Sequence, residues 1–545
     1  MSDRPQVTVA GGGLAGMTAA MRLAERGYQV KLYEQKSMLG GNLASRPAGH
    51  GTKLDVYPHM FLSWYQNFWQ LLQDSGVDRD QAFTPFSSVK QLARGDYPRF
   101  TGLTNGFSPR YVIQNLFSGV GPPADMFVFW YATIDLLAER LNPTMLLDDV
   151  SVTGFMQARP YMTERAAKAC DNFITMVWAI PSYLASAEDY RTYLAYSVAN
   201  YTPPAMLAKG PAADRVIDPL TRAMKHAGVE IHREVQLASV SCTNGRVTEI
   251  GLQDATFDPH TYTWVRTANA WTEPVDELVL AVPPVVLSDL VRSGEPGHRI
   301  VEAVPKLAEL SRLRSQRIPI LHAYFKRKLR PIPPEPVGLY DSRLALAFTD
   351  ISQAWTDMAE LADTTVLSVS ASDPYALPGT GADDDAFAIL SELAQYVEFD
   401  PGDTWGKSPD IDWTRTRYES NTDSQLFINE TGIDVWRPEA ACTGVANLYF
   451  AGNFCANRIG MMTVESAVAS GLEAARAVVE RRGFGAPVEI LEPKAIFDAL
   501  CVWLRYVWAP YAVAAKGWSM GSDWLRELRR HLAPTKPPND QRRDS

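Results

Sequence analysis

Gly11, Gly13 and Gly16 stand in "AGGGLAGMTAA", and an acid, Glu34, follows 18 residues after the last of them. This set would act through its backbone. In a strand–turn–helix unit, Gly11 permits a tight turn, Gly13 lets a pyrophosphate approach the main chain, and Gly16 lets helix and strand pack closely. The unpaired N–H groups and positive end of the helix then face the phosphates, and Glu34 accepts hydrogen bonds from ribose hydroxyls. The surrounding elements fit. Val7 to Val9 read as a short buried strand. "LAGMTAAMRLAERG" reads as a helix with Leu14, Met17, Met21 and Leu23 apolar, closed by Gly27, and "YQVKLYE" reads as a second strand. The expectation is a dinucleotide site.

A second pair, Gly40-Gly41, follows six residues after Glu34. A plain nicotinamide-dinucleotide fold does not need it, whereas a flavin dinucleotide uses such a pair for further phosphate and ribityl contacts; the alternative is an ordinary loop. Near the other end, "NLYFAGNFCANRIGMMTVESAVASGLEAARAVVER" predicts a strand over 448–450, a turn at Ala451-Gly452-Asn453 and a helix from about Thr463 to Arg481. Its N-terminus could meet an anionic edge such as a reduced flavin pyrimidine, or the helix could simply pack on the sheet. Between these ends, "VQLASVSCTNGRVTEIGL" alternates apolar and polar residues around Asn-Gly, a hairpin signal, and "VDELVLAVPP" is a strand ending in prolines.

These stretches, with "YPHMFLSWYQNFWQLLQDSGV" (57–77), "DDVSVTGFM" (148–156), "GPAADRVIDPLTRAMKHAGVEIHREVQLASV" (210–240), "DELVLAVPPVVLSDLV" (276–291) and "RIPILHAYFKRKL" (317–329), resemble the FAD-dependent amine oxidase and carotenoid desaturase superfamily over residues 5 to 482. Within it, the chain looks like the plant- and cyanobacterial-type phytoene desaturases. The resemblance implies an α/β fold: a discontinuous Rossmann-like FAD-binding domain (1–80, 213–290 and 440–485) plus an α/β substrate-binding domain (81–212 and 291–439). It implies FAD held by Gly11, Gly13, Leu14, Ala15, Gly16, Glu34, Gln35, Gly40, Gly41, Asn42, Val235, Gly452, Asn453, Met462, Thr463 and Val464. Val235 would offer its backbone to the adenine. Tyr57 and His59 would lie near the flavin, and Arg215 at the flavin-facing end of the substrate cavity, polarising an electron acceptor or stabilising anionic flavin. The alternatives are a packed histidine and a surface arginine. Three departures are plain: Asn42 replaces the usual Arg or Lys, Asn453 replaces the usual Asp, and a stretch containing "HTYTWVRTANAW" lies where the family is often shorter.

No nucleophile–base pair or triad is apparent among the eight histidines, which suits a reaction whose chemistry the cofactor carries. Amine oxidases of the superfamily hold the amine between two aromatic rings, one of them just before the closing helix. Here Thr463 stands at that place, behind Met461 and Met462. The expected activity is flavin-dependent desaturation of a long apolar lipid (an isoprenoid, a carotenoid precursor or a fatty acyl chain), with quinone or oxygen as acceptor. The alternatives are an amine oxidase, a redox-neutral double-bond isomerase and a flavin-binding structural subunit. The large apolar residues of "PADMFVFWYATIDLLAERL", "NFITMVWAIPSYL" and "TYLAYSVANY" recur at helical spacing, as core helices do, and such helices line lipid tunnels in the relatives.

A formal charge of −10 argues against nucleic-acid binding. Five scattered cysteines form no CxxC pair and no Cys/His cluster, so neither disulfides nor a metal site is expected and a reducing, cytoplasmic setting fits. No signal-peptide core and no uninterrupted apolar run of about 18 residues appears. Residues 486–532 read as an amphipathic helical extension and 533–545 as a disordered polar tail. In "AIFDALCVWLRYVWAPY" one face carries Ile496, Leu500, Trp503, Leu504, Val507, Trp508 and Tyr511, with Asp498 and Arg505 opposite. Residues 494–545 hold nine Lys/Arg against five Asp/Glu. That pattern suits peripheral contact with the inner face of a membrane; the alternative is a helical hairpin packed on the domain.

Overall fold

The computed structural model describes residues 4–49, 52–104, 109–201, 203–258, 263–292, 294–356, 361, 363–441 and 444–532. The predicted polar tail (533–545) and Cys442 lie outside them.

Five short strands form a parallel sheet: β1 (Gln6–Ala10), β2 (Gln29–Glu34), β3 (Glu230–Arg233), β4 (Glu277–Leu280) and β5 (Leu448–Phe450), in the order β3-β2-β1-β4-β5. The chain therefore leaves this sheet after β2 and returns to it three times, at β3, β4 and β5. Strand alternation divides the side chains between two layers. Val7, Val9, Val30, Leu32, Val279 and Tyr449 face a helical layer. That layer holds α1 (Leu14–Ala24) and the closing helix Val464–Arg482. Ala10, Tyr33, Leu278, Leu280, Leu448 and Phe450 face a layer built from strands Val235–Thr243, Arg246–Asp258 and Thr263–Pro274 and helix Pro284–Arg292. The predicted hairpin is present, with Asn244 (φ 53°) and Gly245 (φ 69°) at its turn, as a two-residue hairpin turn requires. The additional stretch supplies the third strand, antiparallel to the second from Thr263 to Pro274.

The second sheet has seven strands in the order Arg417–Glu419, Ile320–Tyr324, Val366–Ala371, Leu346–Asp350, Val337–Leu339, Val89–Leu92 and Thr101–Leu103. Only the pair Val337–Leu339 with Val89–Leu92 is parallel among its described pairings. Leu321, Ala323, Leu367 and Val369 pack against helix Ala382–Leu393 through Ile389, Leu390 and Leu393. The alternate residues Ile320, His322, Ser368 and Ser370 occupy the opposite face.

The apolar helical runs form Pro123–Ala138, Glu164–Trp178 and Ala187–Ala199. The last two start at side-chain caps: the Thr163 and Ser186 hydroxyls accept the Ala166 and Asp189 N–H groups. Against Pro123–Ala138 lies one long helix, Asp498–Leu532, rather than a hairpin. It buries Cys501, Arg505, Ala512 and Ser519, which fall four or seven residues apart along one stripe. Arg505, read as lying opposite the apolar aromatic face, is on the side of the helix that is buried. Its guanidinium pairs with Asp135 and Glu139 and donates to the Asn142 carbonyl at 2.8 Å. Arg159 pairs with the same two acids at 2.9 and 2.7 Å. The face left outside carries Trp503, Tyr506, Tyr511, Trp518 and Trp524, all more than half exposed.

Candidate functional site

A cavity of about 460 Å³ runs between the two sheets. One end is made by the glycine turns. Gly11 has φ +110°, and a Cβ there would sit 2.2 Å from the Ala281 carbonyl oxygen; a Cβ on Gly16 would sit 2.0 Å from the Gly11 oxygen. Protein packing alone therefore demands glycine at both positions. Gly13 differs. Its φ is −71°, and the nearest atom to an added Cβ is Gly41 Cα at 3.9 Å. Nothing in the protein forbids a side chain at Gly13, so its bareness keeps free a space that belongs to a ligand lying against the backbone. Gly13 is also the N-cap of α1 and makes no side-chain cap, so the first-turn N–H groups at Leu14 and Ala15, which line the cavity, remain available for phosphate.

Gly40 and Gly41 (φ +110° and +58°) fold under this turn. Gly40 N–H donates to the Gly12 oxygen at 2.8 Å. Glu34 is fixed by two backbone donors, Gly12 N–H to Oε2 at 2.7 Å and Lys36 N–H to Oε1 at 2.9 Å, and each oxygen keeps a second lone pair for a ribose hydroxyl. Burial pushes its carboxyl above the ordinary value, against those two N–H donors. Gln35, Asn42 and Val235 line the same end, and Gly452, Asn453, Met462, Thr463 and Val464 line the wall made by the closing helix. Asn42 Nδ2 donates to the Gln425 oxygen at 3.2 Å. Thr463 caps the closing helix, its hydroxyl accepting the Ser466 N–H at 3.0 Å. Gly16 lies behind the lining.

The other end is largely apolar: Met60, Leu62, Trp178, Ile318, Ile320 and Phe427 line it, with Met176 and Tyr193 from the helical region and the hydroxyl residues Ser370, Ser372 and Thr422 beside them. Most of the large apolar residues of those helices form core instead. Asp423 also reaches the lining. Burial pushes its carboxyl up, but Lys36 and Arg46 together hold it below the ordinary range, with Lys36 Nζ at 3.0 Å and an Arg46 nitrogen at 2.6 Å.

Tyr57 and His59 both line the cavity. The Tyr57 hydroxyl donates to the Ser424 carbonyl, and burial raises its pKa, so this side chain ties two segments together. His59 Nδ1 lies 2.8 Å from the Tyr57 carbonyl oxygen. A carbonyl only accepts, so this bond puts the proton on Nδ1 and leaves Nε2 as a lone pair. Burial pushes the ring down to about 4, against that hydrogen bond, so it is neutral at pH 7. Arg215 is not among the lining residues. It belongs to the single π-turn Ala213–Ile217, with its Nε 3.0 Å from where a Gly210 Cβ would lie. In that turn it is Ile217 that reaches the glycine pair, its Cγ1 2.9 Å from a Cβ on Gly40.

Two positioning residues escape a reading of the sequence. Arg437 is 2% exposed. It donates to the carbonyls of Asn453 (2.9 Å), Phe454 (3.2 Å), Cys455 (3.0 Å) and Gly460 and pairs with Asp434 at 3.2 Å. It thereby holds the loop after β5 against the cavity. Glu465, fully buried, accepts Asn67 N–H and Phe68 N–H at 2.9 Å and Asn67 Nδ2 at 2.6 Å. It thus supplies the cap that helix Gln66–Asp74 lacks at Tyr65. Asn67 also exchanges two hydrogen bonds with the Leu491 backbone. Only the "VES" acid in the first turn of the closing helix hinted at this; Arg437 left no local signal.

The flavin containing amine oxidoreductase family model matches residues 14–479. The chain is 35% identical over 75 residues to zeta-carotene desaturase of Synechocystis sp., which covers 14% of this chain and only 15% of that protein's length. It is 20% identical over 492 residues to 15-cis-phytoene desaturase of Synechococcus elongatus, covering 88% of this chain and 96% of that protein. Among solved structures, an oxidoreductase from Methanosarcina mazei superposes with a TM-score of 0.61 at 14% identity, over 87% of this chain and all of that one; this likeness is one of fold. The glycine cradle with its reserved space fits FAD, and with the match over 14–479 the chain belongs to the flavin-containing amine oxidoreductases and has FAD as its cofactor.

Proposed function

We propose that this protein dehydrogenates a long apolar lipid (an isoprenoid, a carotenoid precursor or a fatty acyl chain), passing electrons to quinone or oxygen. The observation that carries the reading is the charge state of the cavity's far end. Its described lining is mainly apolar, with the uncharged Ser370, Ser372 and Thr422 beside it, its one carboxylate there, Asp423, is already neutralised by Lys36 and Arg46, and His59 is neutral. An ammonium substrate would meet neither a free anion nor an aromatic ring at Thr463. The likeness to phytoene desaturase along most of both chains adds support.

FAD, when bound, supplies the hydride acceptor. Gly11, Gly13, Leu14 and Ala15 would hold its pyrophosphate, with Glu34 on the ribose, Val235 beside the adenine, and Gly40, Gly41, Asn42, Gly452, Asn453 and the Met462–Val464 turn along the flavin half. The apolar wall would exclude water and hold a C–H bond about 3–3.5 Å from the acceptor atom. Arg215, set apart from the cavity, would not serve the acceptor by direct contact.

The exposed tryptophans and tyrosines of the C-terminal helix, with the nearby Lys516 and Arg526, would seat the protein on an anionic membrane surface, where each cation adds about 1 kcal/mol. No helix among the described residues is long and apolar enough to cross a membrane. Extracting the purified protein with organic solvent and analysing the extract by mass spectrometry tests the substrate class. A co-purified polyisoprenoid or acyl lipid is expected; a co-purified amine and no lipid would favour amine oxidation.

A further inference from the structure

Behind His59 lies a second, smaller void of about 30 Å³, with Asp55, His59, His322, Thr349 and Ser368 as the polar part of its wall. His59, with Pro58, also lines the large cavity, so the two spaces share this stretch of wall. Strand alternation puts His322 here. Leu321 and Ala323 enter the apolar core, while His322 points to the other face, in register with Ser368, which is in register with Thr349. His322 is 1% exposed, and neither ring nitrogen makes a well-formed hydrogen bond, although the Asp55 backbone lies close enough to favour its protonated form. A buried polar group left unmade costs about 1–3 kcal/mol, and such groups are almost always satisfied by protein or ordered water. A cavity needs about 10–15 Å³ of such space to hold a water, so the void has room for at least one, within a wall that offers it several polar partners.

The geometry points to an ordered water in this void that joins His59 to His322 and the Asp55 carboxyl, making His59 the cavity end of a buried proton relay. The inference rests on the dehydrogenase reading. Converting CH–CH to C=C removes two hydrogens. One leaves with its electron pair to the flavin, the named oxidant; the other leaves as a proton. That proton would leave the cavity by way of His59, pass through the water to His322 as His59 returns to neutral, and come to rest on the Asp55 carboxylate, which becomes the acid, as His322 returns to neutral in turn.

The acid–base properties suit this direction. Burial pushes both histidines down to about 4, so they pass a proton without keeping it. Burial pushes Asp55 up to about 7, against hydrogen bonds from Ser45 and the Ala212 N–H and helped by Asp214, so it stores one. The charged groups around the relay are otherwise committed: Arg46 to Glu419 and Asp423, and Asp214 to Lys53. Tyr57 is bound to the Ser424 carbonyl.

The test needs no lipid. FAD-loaded full-length protein is photoreduced anaerobically with EDTA as donor at pH 7, and infrared difference spectra follow the C=O stretch of a newly protonated carboxyl group. Negative charge arriving at the cavity wall should draw a proton onto Asp55 in step with flavin bleaching. Carboxyl-¹³C aspartate labelling should shift the band, assigning it to an aspartate without altering the site. In His322→Leu, which lies outside the large cavity, bleaching should keep its rate while the carboxyl band lags at least tenfold. Should that variant lose the flavin, His322→Gln, which keeps hydrogen-bonding capacity but cannot relay a proton, gives the same reading. No aspartate band in the wild type, or a band that keeps pace with bleaching in the variants, overturns the relay. Because no substrate is used, that failure would leave the lipid reading standing.

Discussion

Gly13 separates the demands of the protein from those of its cofactor. At Gly11 a side chain meets both a positive φ and an atom 2.2 Å away, so Gly11→Ala incurs about 1–2 kcal/mol of backbone strain on top of a displaced carbonyl. At Gly13 a Cβ finds 3.9 Å of clearance at a φ that any residue adopts. There, replacing glycine should leave the apoprotein intact or stabilise it by about 0.4–1 kcal/mol through the unfolded chain. The same Cβ, and still more the branched one of Gly13→Val, occupies the space kept for pyrophosphate. Losing one close set of charge-assisted hydrogen bonds, about 1.5–3 kcal/mol, weakens FAD binding by roughly 10- to 150-fold at 1.4 kcal/mol per decade. Two measurements check this: the 450 to 280 nm absorbance ratio of purified protein with FAD titration of the apoprotein, and thermal melts of the apo forms. The expected result is a colourless Gly13→Val with an apo melting point at or above that of the wild type, beside a Gly11→Ala destabilised in both forms. A Gly13→Val that purifies yellow with stoichiometric FAD would refute the placement of the pyrophosphate.

Arg437→Lys should release the loop after β5, because one ammonium cannot reproduce a planar fork serving several carbonyls; FAD retention should fall, and a Lys variant as yellow as the wild type would contradict that role. Burial pushes the Glu465 carboxyl from its ordinary 4.5 up to about 7, against the Asn67 and Phe68 N–H groups. The unfolded chain therefore gives up this proton first, the native state binds more protons through that window, and stability falls as pH rises from 4.5 to 7. The span is about 3 kcal/mol at 1.36 kcal/mol per pH unit; Glu465→Gln, which still accepts an N–H, should flatten it in urea denaturation series at pH 5 and 8. Removing residues 494–545 would strip a packed helix from the core, so membrane contact is better tested by Trp503→Glu, Trp518→Glu and Trp524→Glu together. Sedimentation with anionic liposomes should be lost while FAD stays bound, and unchanged sedimentation would reject the docking face.

How far the sequence could be read follows from the range of each signal. The strand–turn–helix around Gly11 to Glu34, the Asn244-Gly245 hairpin and the helix beginning at Thr463 depend on neighbours within a few residues, and each is found as read. The cavity lining gathered from the family resemblance (Tyr57, His59, Val235, Asn453) also comes together, whereas Arg215 does not, because the π-turn presents Ile217 to the glycine pair. Arg437, Glu465 and His322 act on groups brought near by folding. Glu465 and Asn67 are 398 residues apart in sequence, and no local pattern carries that. The C-terminal helix shows a different limit. A helical wheel shows which residues share a face but not which face meets a neighbour. The aromatic face lies outside, while the stripe with Arg505 turns inward because Asp135 and Glu139 wait there on Pro123–Ala138 and just beyond it.

The central claim is that the flavin is reduced by an apolar lipid, and anaerobic flavin absorbance in detergent measures this directly. Isoprenoids, fatty acyl lipids and primary and secondary amines are offered in turn, with product analysis after each. The account predicts bleaching by a long apolar lipid and one additional carbon–carbon double bond in the product. Rapid bleaching by amines alone, or double-bond migration in a lipid only after dithionite reduction, would contradict it.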